Sequence, residues 1–135
     1  MLEEELLRFI VSRISKTRSP KITLISFGTS GPVVARVVSR PELASVAVKW
    51  VAISAPVKAC ASLSFLKSRR WKSSLELKTN STRVPHQLAV GERDTVCYPE
   101  EVFGKEPDLT IPDVGHYGAL LHSSTTQFVL NVLKQ

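Results

Sequence analysis

The chain has 135 residues, 43% hydrophobic and 22% charged, close to the averages of a globular domain, so one compact domain burying about two thirds of its unfolded surface is expected. No apolar run approaches the ~20 residues of a bilayer span, and the opening Met1-Leu2-Glu3-Glu4-Glu5 is acidic where a secretory leader is basic, which argues against a membrane span or a secreted product. The net charge of +6 is spread along the chain, and Cys60 and Cys97 stand far apart without nearby histidines, so neither a disulfide scaffold nor a zinc site is encoded and a cytoplasmic protein with reduced thiols is expected.

Leu6, Leu7, Ile10, Val11 and Ile14 recur at the spacing of one helical face, with acidic residues before them and basic ones after. This predicts a helix from Leu2 to about Ser15, closed before Ser19-Pro20. Ile22 to Phe27 is a short apolar run rich in β-branched residues and reads as a buried strand. The tight turn Gly28-Thr29-Ser30-Gly31 follows, then a helix that starts near Pro32, carries the stripe Val33, Val34, Val37 and Val38, and runs to about Arg40-Pro41.

Trp50-Val51-Ala52-Ile53 is a second buried strand, closed by Ser54-Ala55-Pro56. The stretch from Lys58 to Arg83 is polar and basic and predicts a variable connection. Val84 to Val90 is a third strand, Pro85 being tolerable at its start. A short helix is expected from Tyr98 to Val102, a fourth strand at Leu109-Thr110-Ile111, and a closing helix from Ser123 to Leu133 with Phe128, Val129, Val132 and Leu133 buried. Strands alternating with helices predict an α/β layer fold around a parallel sheet.

Ligands and catalytic groups gather beyond the carboxyl ends of strands in such sheets. Three segments stand there: Ser26 to Gly31, Gly91-Glu92-Arg93-Asp94, and Gly115-His116-Tyr117-Gly118, the last expected as a loop. Their order along the chain is turn, acid, histidine. A serine hydrolase needs such a set, because a hydroxyl attacks well only when an imidazole takes its proton and a carboxylate orients the imidazole.

These segments resemble the α/β-hydrolase superfamily. Lys21 to Val38 is similar to its nucleophile-elbow region, Val84 to Glu100 to the acid-bearing strand and loop, and Leu109 to Leu121 to the histidine loop. The likeness covers residues 2 to 135, matching the second half of a usual family domain. It implies a three-layer sandwich of about four parallel strands with helices on both faces, a truncated α/β-hydrolase fold. Residues 1–135 would form one domain, with 58–83 as a lid-like connection. It also implies Asp94 as the triad acid, His116 as the general base, a small ester-like ligand, and neither cofactor nor metal. His86 lies inside a strand and His122 past the loop, so neither competes with His116.

The departure is at the nucleophile. The family elbow is Gly-x-Ser-x-Gly-Gly, and the gapless alignment lays Ser26-Phe27-Gly28-Thr29-Ser30-Gly31 over it, so the attacking position holds Gly28. Reading Gly28-Thr29-Ser30 as the elbow makes Ser30 the nucleophile but puts Pro32 where glycine is expected. Reading Ser26-Phe27-Gly28 makes Ser26 the nucleophile but replaces the leading glycine with Leu24. Gly28 ranks first, Ser30 second and Ser26 third, and helix capping accounts for either hydroxyl without catalysis. The backbone N–H of Thr29 would be one oxyanion donor, and the loop supplying the other in the family has no counterpart here.

The expected function is therefore a divergent hydrolase-fold protein with weak or lost hydrolase activity that acts through binding. A working serine esterase using Ser30 or Ser26 with His116 and Asp94 is the alternative. A basic nucleic-acid-binding module built on Lys67 to Lys72 ranks below both, since such runs are most often solvated faces. The strand Ile22 to Phe27 would lie at a sheet edge with few charges to protect it, so a homodimer or a partner chain along that edge is expected as well.

Overall fold

The computed structural model describes residues 2–18, 21–55, 86–96 and 106–135. Lys67 to Lys72, the connection 58–83, both cysteines, Val84-Pro85 and the helix expected from Tyr98 to Val102 lie outside the described residues.

Helix α1, Leu2–Thr17, leads into strand β1, Lys21–Phe27. A one-turn 3-10 segment, Gly28–Ser30, then passes directly into α2, Gly31–Val38. Proline at the second position of α2 costs no intrahelical bond, because the first N–H groups of a helix have no partner to lose. The helix ends at Val38, two residues short of the expected Arg40-Pro41, and Pro41–Leu43 forms a separate 3-10 turn. Strand β2 is Ala47–Ile53, β3 is His86–Gly91 and β4 is Leu109–Ile111. Two helices close the chain: α3, His116–Leu121, and α4, Ser123–Lys134.

The four strands form one parallel sheet in the order β1-β2-β3-β4, and helices cover both faces, so the expected α/β class holds. Alternation along β2 assigns the faces. Trp50 and Ala52 pack with Leu88 and Val90 against Val34, Ala35 and Val38 of α2. Val51 and Ile53 point the other way and meet Val132 of α4, with Phe128, Val129 and Phe27 around them. Helix α1 sits over α2, burying Leu7 and Ile10 against Val37 and Leu43.

Two stripes are narrower than their periodicity suggests. Val11 on α1 and Leu133 on α4 are exposed, because each lies at the flank of its stripe, beyond the reach of the neighbouring element. Among the described residues β1 is an outer strand of the sheet, and Ile25, in register with buried Val51, is 52% exposed. Among the described residues no helix is long and apolar enough to cross a membrane.

Candidate active site

Parallel pairing brings the carboxyl ends of all four strands to one rim of the sheet. Phe27 pairs with Ile53, Ile53 with Ala89, and Gly91 with Ile111, so the segments that follow these strands emerge side by side.

Gly28 is the first residue beyond β1 and has φ +53°. This left-handed backbone suits glycine, since a side chain there would crowd the following carbonyl. The position a Cβ would occupy lies 3.1 Å from His116 Nε2. The bare edge of Gly28 thus faces the imidazole.

Behind the imidazole, His116 Nδ1 and Asp94 Oδ2 are 2.9 Å apart. Facing a carboxylate, Nδ1 carries the proton of the neutral ring and donates it, which leaves the Nε2 lone pair directed toward Gly28. The Asp94 side chain is fully buried and that of His116 is 9% exposed. The other carboxylate oxygen, Oδ1, accepts the N–H of Val96 at 3.0 Å. Desolvation makes an ionised carboxylate costly unless such donors surround it, and here they also fix its orientation.

Main-chain bonds hold the acid and histidine segments together. The N–H of Glu92 donates to Ile111 O at 2.9 Å and that of Arg93 to Val114 O at 2.9 Å. The Asp94 N–H closes a turn on Gly91 O at 3.1 Å. Gly91 has a steric reason to be glycine: a Cβ would fall 2.4 Å from Val114 O and 2.9 Å from Gly115 O. Gly115 is extended, and His116 opens helix α3. This corrects the expectation of a loop through Gly118: the histidine is the first residue of a helix, and the Ala119 N–H already bonds back to Gly115 O at 2.9 Å.

Both candidate serines, Ser30 of the turn and Ser26 of β1, are engaged elsewhere. The Ser30 hydroxyl donates to Phe27 O at 2.8 Å and accepts the Phe27 N–H at 3.0 Å. Ser26 is buried and accepts the indole N–H of Trp50 at 2.8 Å. Neither hydroxyl is hydrogen-bonded to His116 among the described residues. Thr29, beside Gly28 in the same turn, is exposed. His86 begins β3 with its ring 4.9 Å from that of Trp50, and His122 caps α4, its Nδ1 accepting the Ser124 N–H at 3.2 Å.

Three features escaped the sequence reading. The Phe27 ring packs 4.8 Å from His116, and Tyr117 meets His116 edge-on at 5.4 Å, so the imidazole sits among aromatic rings. The apolar end of β1 and the tyrosine after the histidine carried that signal. Ser54 has φ +41°, is buried, and its hydroxyl meets no hydrogen-bond partner among the described residues. It follows Ile53 and therefore stands at the same rim as Gly28. Strained, non-glycine backbone of this kind concentrates at functional sites, but nothing in Ser54-Ala55-Pro56 announces it. Among the described residues no group of three or more His, Cys, Asp or Glu side chains converges as a metal site would.

No family model matches the chain, and no curated protein matches it. Among solved structures it is similar to MGS-MChE2, an α/β hydrolase enzyme from the metagenome of sediments from the lagoon of Mar Chica, Morocco. The TM-score is 0.61 at 14% identity, covering 98% of this chain and 69% of that one. At this identity the likeness is one of fold.

Proposed function

We propose that this chain is a divergent α/β-hydrolase-fold protein that retains the base and the acid, lacks the serine nucleophile, and acts through binding, with hydrolysis weak or lost. The observation that carries this reading is the approach of Gly28 to His116: the imidazole Nε2 is aimed at a residue with no side chain, 3.1 Å from where a Cβ would stand. Fold alone assigns no activity, so the reading rests on these atoms. Acyl transfer by a serine needs a hydroxyl within hydrogen-bond reach of the base. The hydroxyls of Ser30 and Ser26 are bonded to Phe27 and Trp50 instead. Asp94 would then orient the imidazole, and a small ester-like ligand would lie against that ring with the Thr29 N–H as a donor toward its carbonyl.

The test is labelling by a fluorophosphonate probe. The wild-type chain is expected to remain unlabelled. Labelling that disappears in Ser30→Ala and in His116→Ala would replace this reading with that of a serine esterase.

A further inference from the structure

We propose that the His116–Asp94 pair is a receptor for a hydroxyl carried by the ligand itself, and that the ligand class is phenolic. This rests on the preceding reading, in which no hydroxyl of the chain serves the imidazole. The Nδ1 side of the ring is committed to Asp94 at 2.9 Å, so the ring has one accepting position left, Nε2. Gly28 presents only its backbone to that position. Among the described residues no protein hydroxyl bonds there. An O–H carried by a ligand would complete Nε2 as the serine hydroxyl does in a working triad.

The surroundings select an aromatic carrier. Phe27, Tyr117 and the imidazole form one cluster of three rings, with the two aromatic centroids 4.8 and 5.4 Å from the imidazole and 5.8 Å from each other. Tyr117 is 70% exposed, so most of its ring is free to stack on a bound one. An aliphatic alcohol makes the same hydrogen bond without the stacking. A phenol also has the more acidic O–H. Its O–H bond breaks as an N–H bond forms at Nε2, giving a phenolate and an imidazolium, and the buried Asp94 carboxylate neutralises the imidazolium. No other reactant is consumed.

The probe is 4-nitrophenol, whose acidity is close to that of an imidazolium and whose phenolate is yellow. It is titrated with the full chain in a buffer acidic enough to keep the free probe mostly protonated. A saturable rise of the phenolate band is expected, weakened about tenfold or more in His116→Ala by loss of a charge-assisted hydrogen bond. In Asp94→Asn the phenolate band should shrink while equilibrium dialysis still finds nitrophenol bound, a split that simple misfolding does not give. Circular dichroism establishes that each variant is folded. Nitrobenzene, with the ring but no hydroxyl, should bind at least tenfold more weakly. Equal binding of nitrobenzene, or no saturable band in a chain that resists fluorophosphonate, overturns the phenol proposal and leaves the loss of the nucleophile standing. Serine-dependent fluorophosphonate labelling overturns both.

Discussion

Trp50 donates its indole N–H to the hydroxyl of Ser26, 2.8 Å away, across the pairing of β1 and β2 in the buried interior. That bond ties the serine just ahead of the turn to the core. Ser26→Ala leaves a buried N–H without an acceptor, which costs roughly 1–3 kcal/mol. Urea unfolding should show this loss, whereas ligand binding at His116 should be unchanged.

Gly28→Ser places a hydroxyl against the imidazole. We expect fluorophosphonate labelling to appear in this variant and to vanish when His116→Ala is added. The added Cβ sits 3.1 Å from Nε2 at φ +53°, so a stability loss of about 1–2 kcal/mol accompanies the gain. Failure of the variant to label, with its fold intact by circular dichroism, would contradict the assignment of Gly28 to the attacking position.

Gly91→Ala drives a methyl group into Val114 O, and neither main-chain segment can move without pulling on the other. A loss of about 1–3 kcal/mol or more is expected. Because His116 follows two residues after Val114, its imidazole resonances should shift in the same variant. Unchanged histidine resonances would show that the two segments are not coupled.

Ile25 is an exposed apolar residue on an outer strand, and such edges recruit further strands. We expect concentration-dependent association in sedimentation or solution scattering, and its loss in Ile25→Lys. A wild-type chain that stays monomeric at high concentration would remove this edge as an interface.

Glu42 has its carboxyl held below the usual carboxylate range, chiefly by the hydrogen bond from the Arg40 guanidinium at 3.1 Å. A depressed folded-state value means stabilisation that is present above the ordinary carboxylate range and fades as acid protonates the group. Both side chains are open to solvent, so the contribution is small and screened by salt. Glu42→Gln should flatten the acid limb of a stability profile slightly at low ionic strength and leave it unchanged at high salt.

Much of the fold was legible because its strands are short apolar runs with turn residues after them. Ile22 to Phe27, Trp50 to Ile53 and Leu109 to Ile111 all lie within observed strands. Counting in phase from β1 into α2 expects Gly28 at the attacking position; what the structure gives is a glycine directly after β1 with φ +53°. The pairing of Asp94 with His116 was expected from a resemblance and chain order, and the hydrogen bond between them is observed. What stayed hidden depends on long-range geometry. Periodicity marks a stripe but not how wide a neighbour covers it, which is why Leu133 and Val11 were misplaced. The helix opening at His116 is six residues long, too short for a periodic signal. The strained backbone of Ser54 has no local signature, and although Phe27 and Tyr117 stand beside Gly28 and His116 in sequence, their packing on the imidazole arises from how separate segments end side by side.

The close approach of Gly91 to the carbonyl of Val114 locks two segments into one frame. Carboxylate and imidazole are carried on two stretches of main chain that bond to each other, so the frame delivers them together whether or not anything is there to be deprotonated. Any change that keeps the two stretches paired keeps the imidazole oriented, so its accepting edge belongs to the frame and not to the turn it faces.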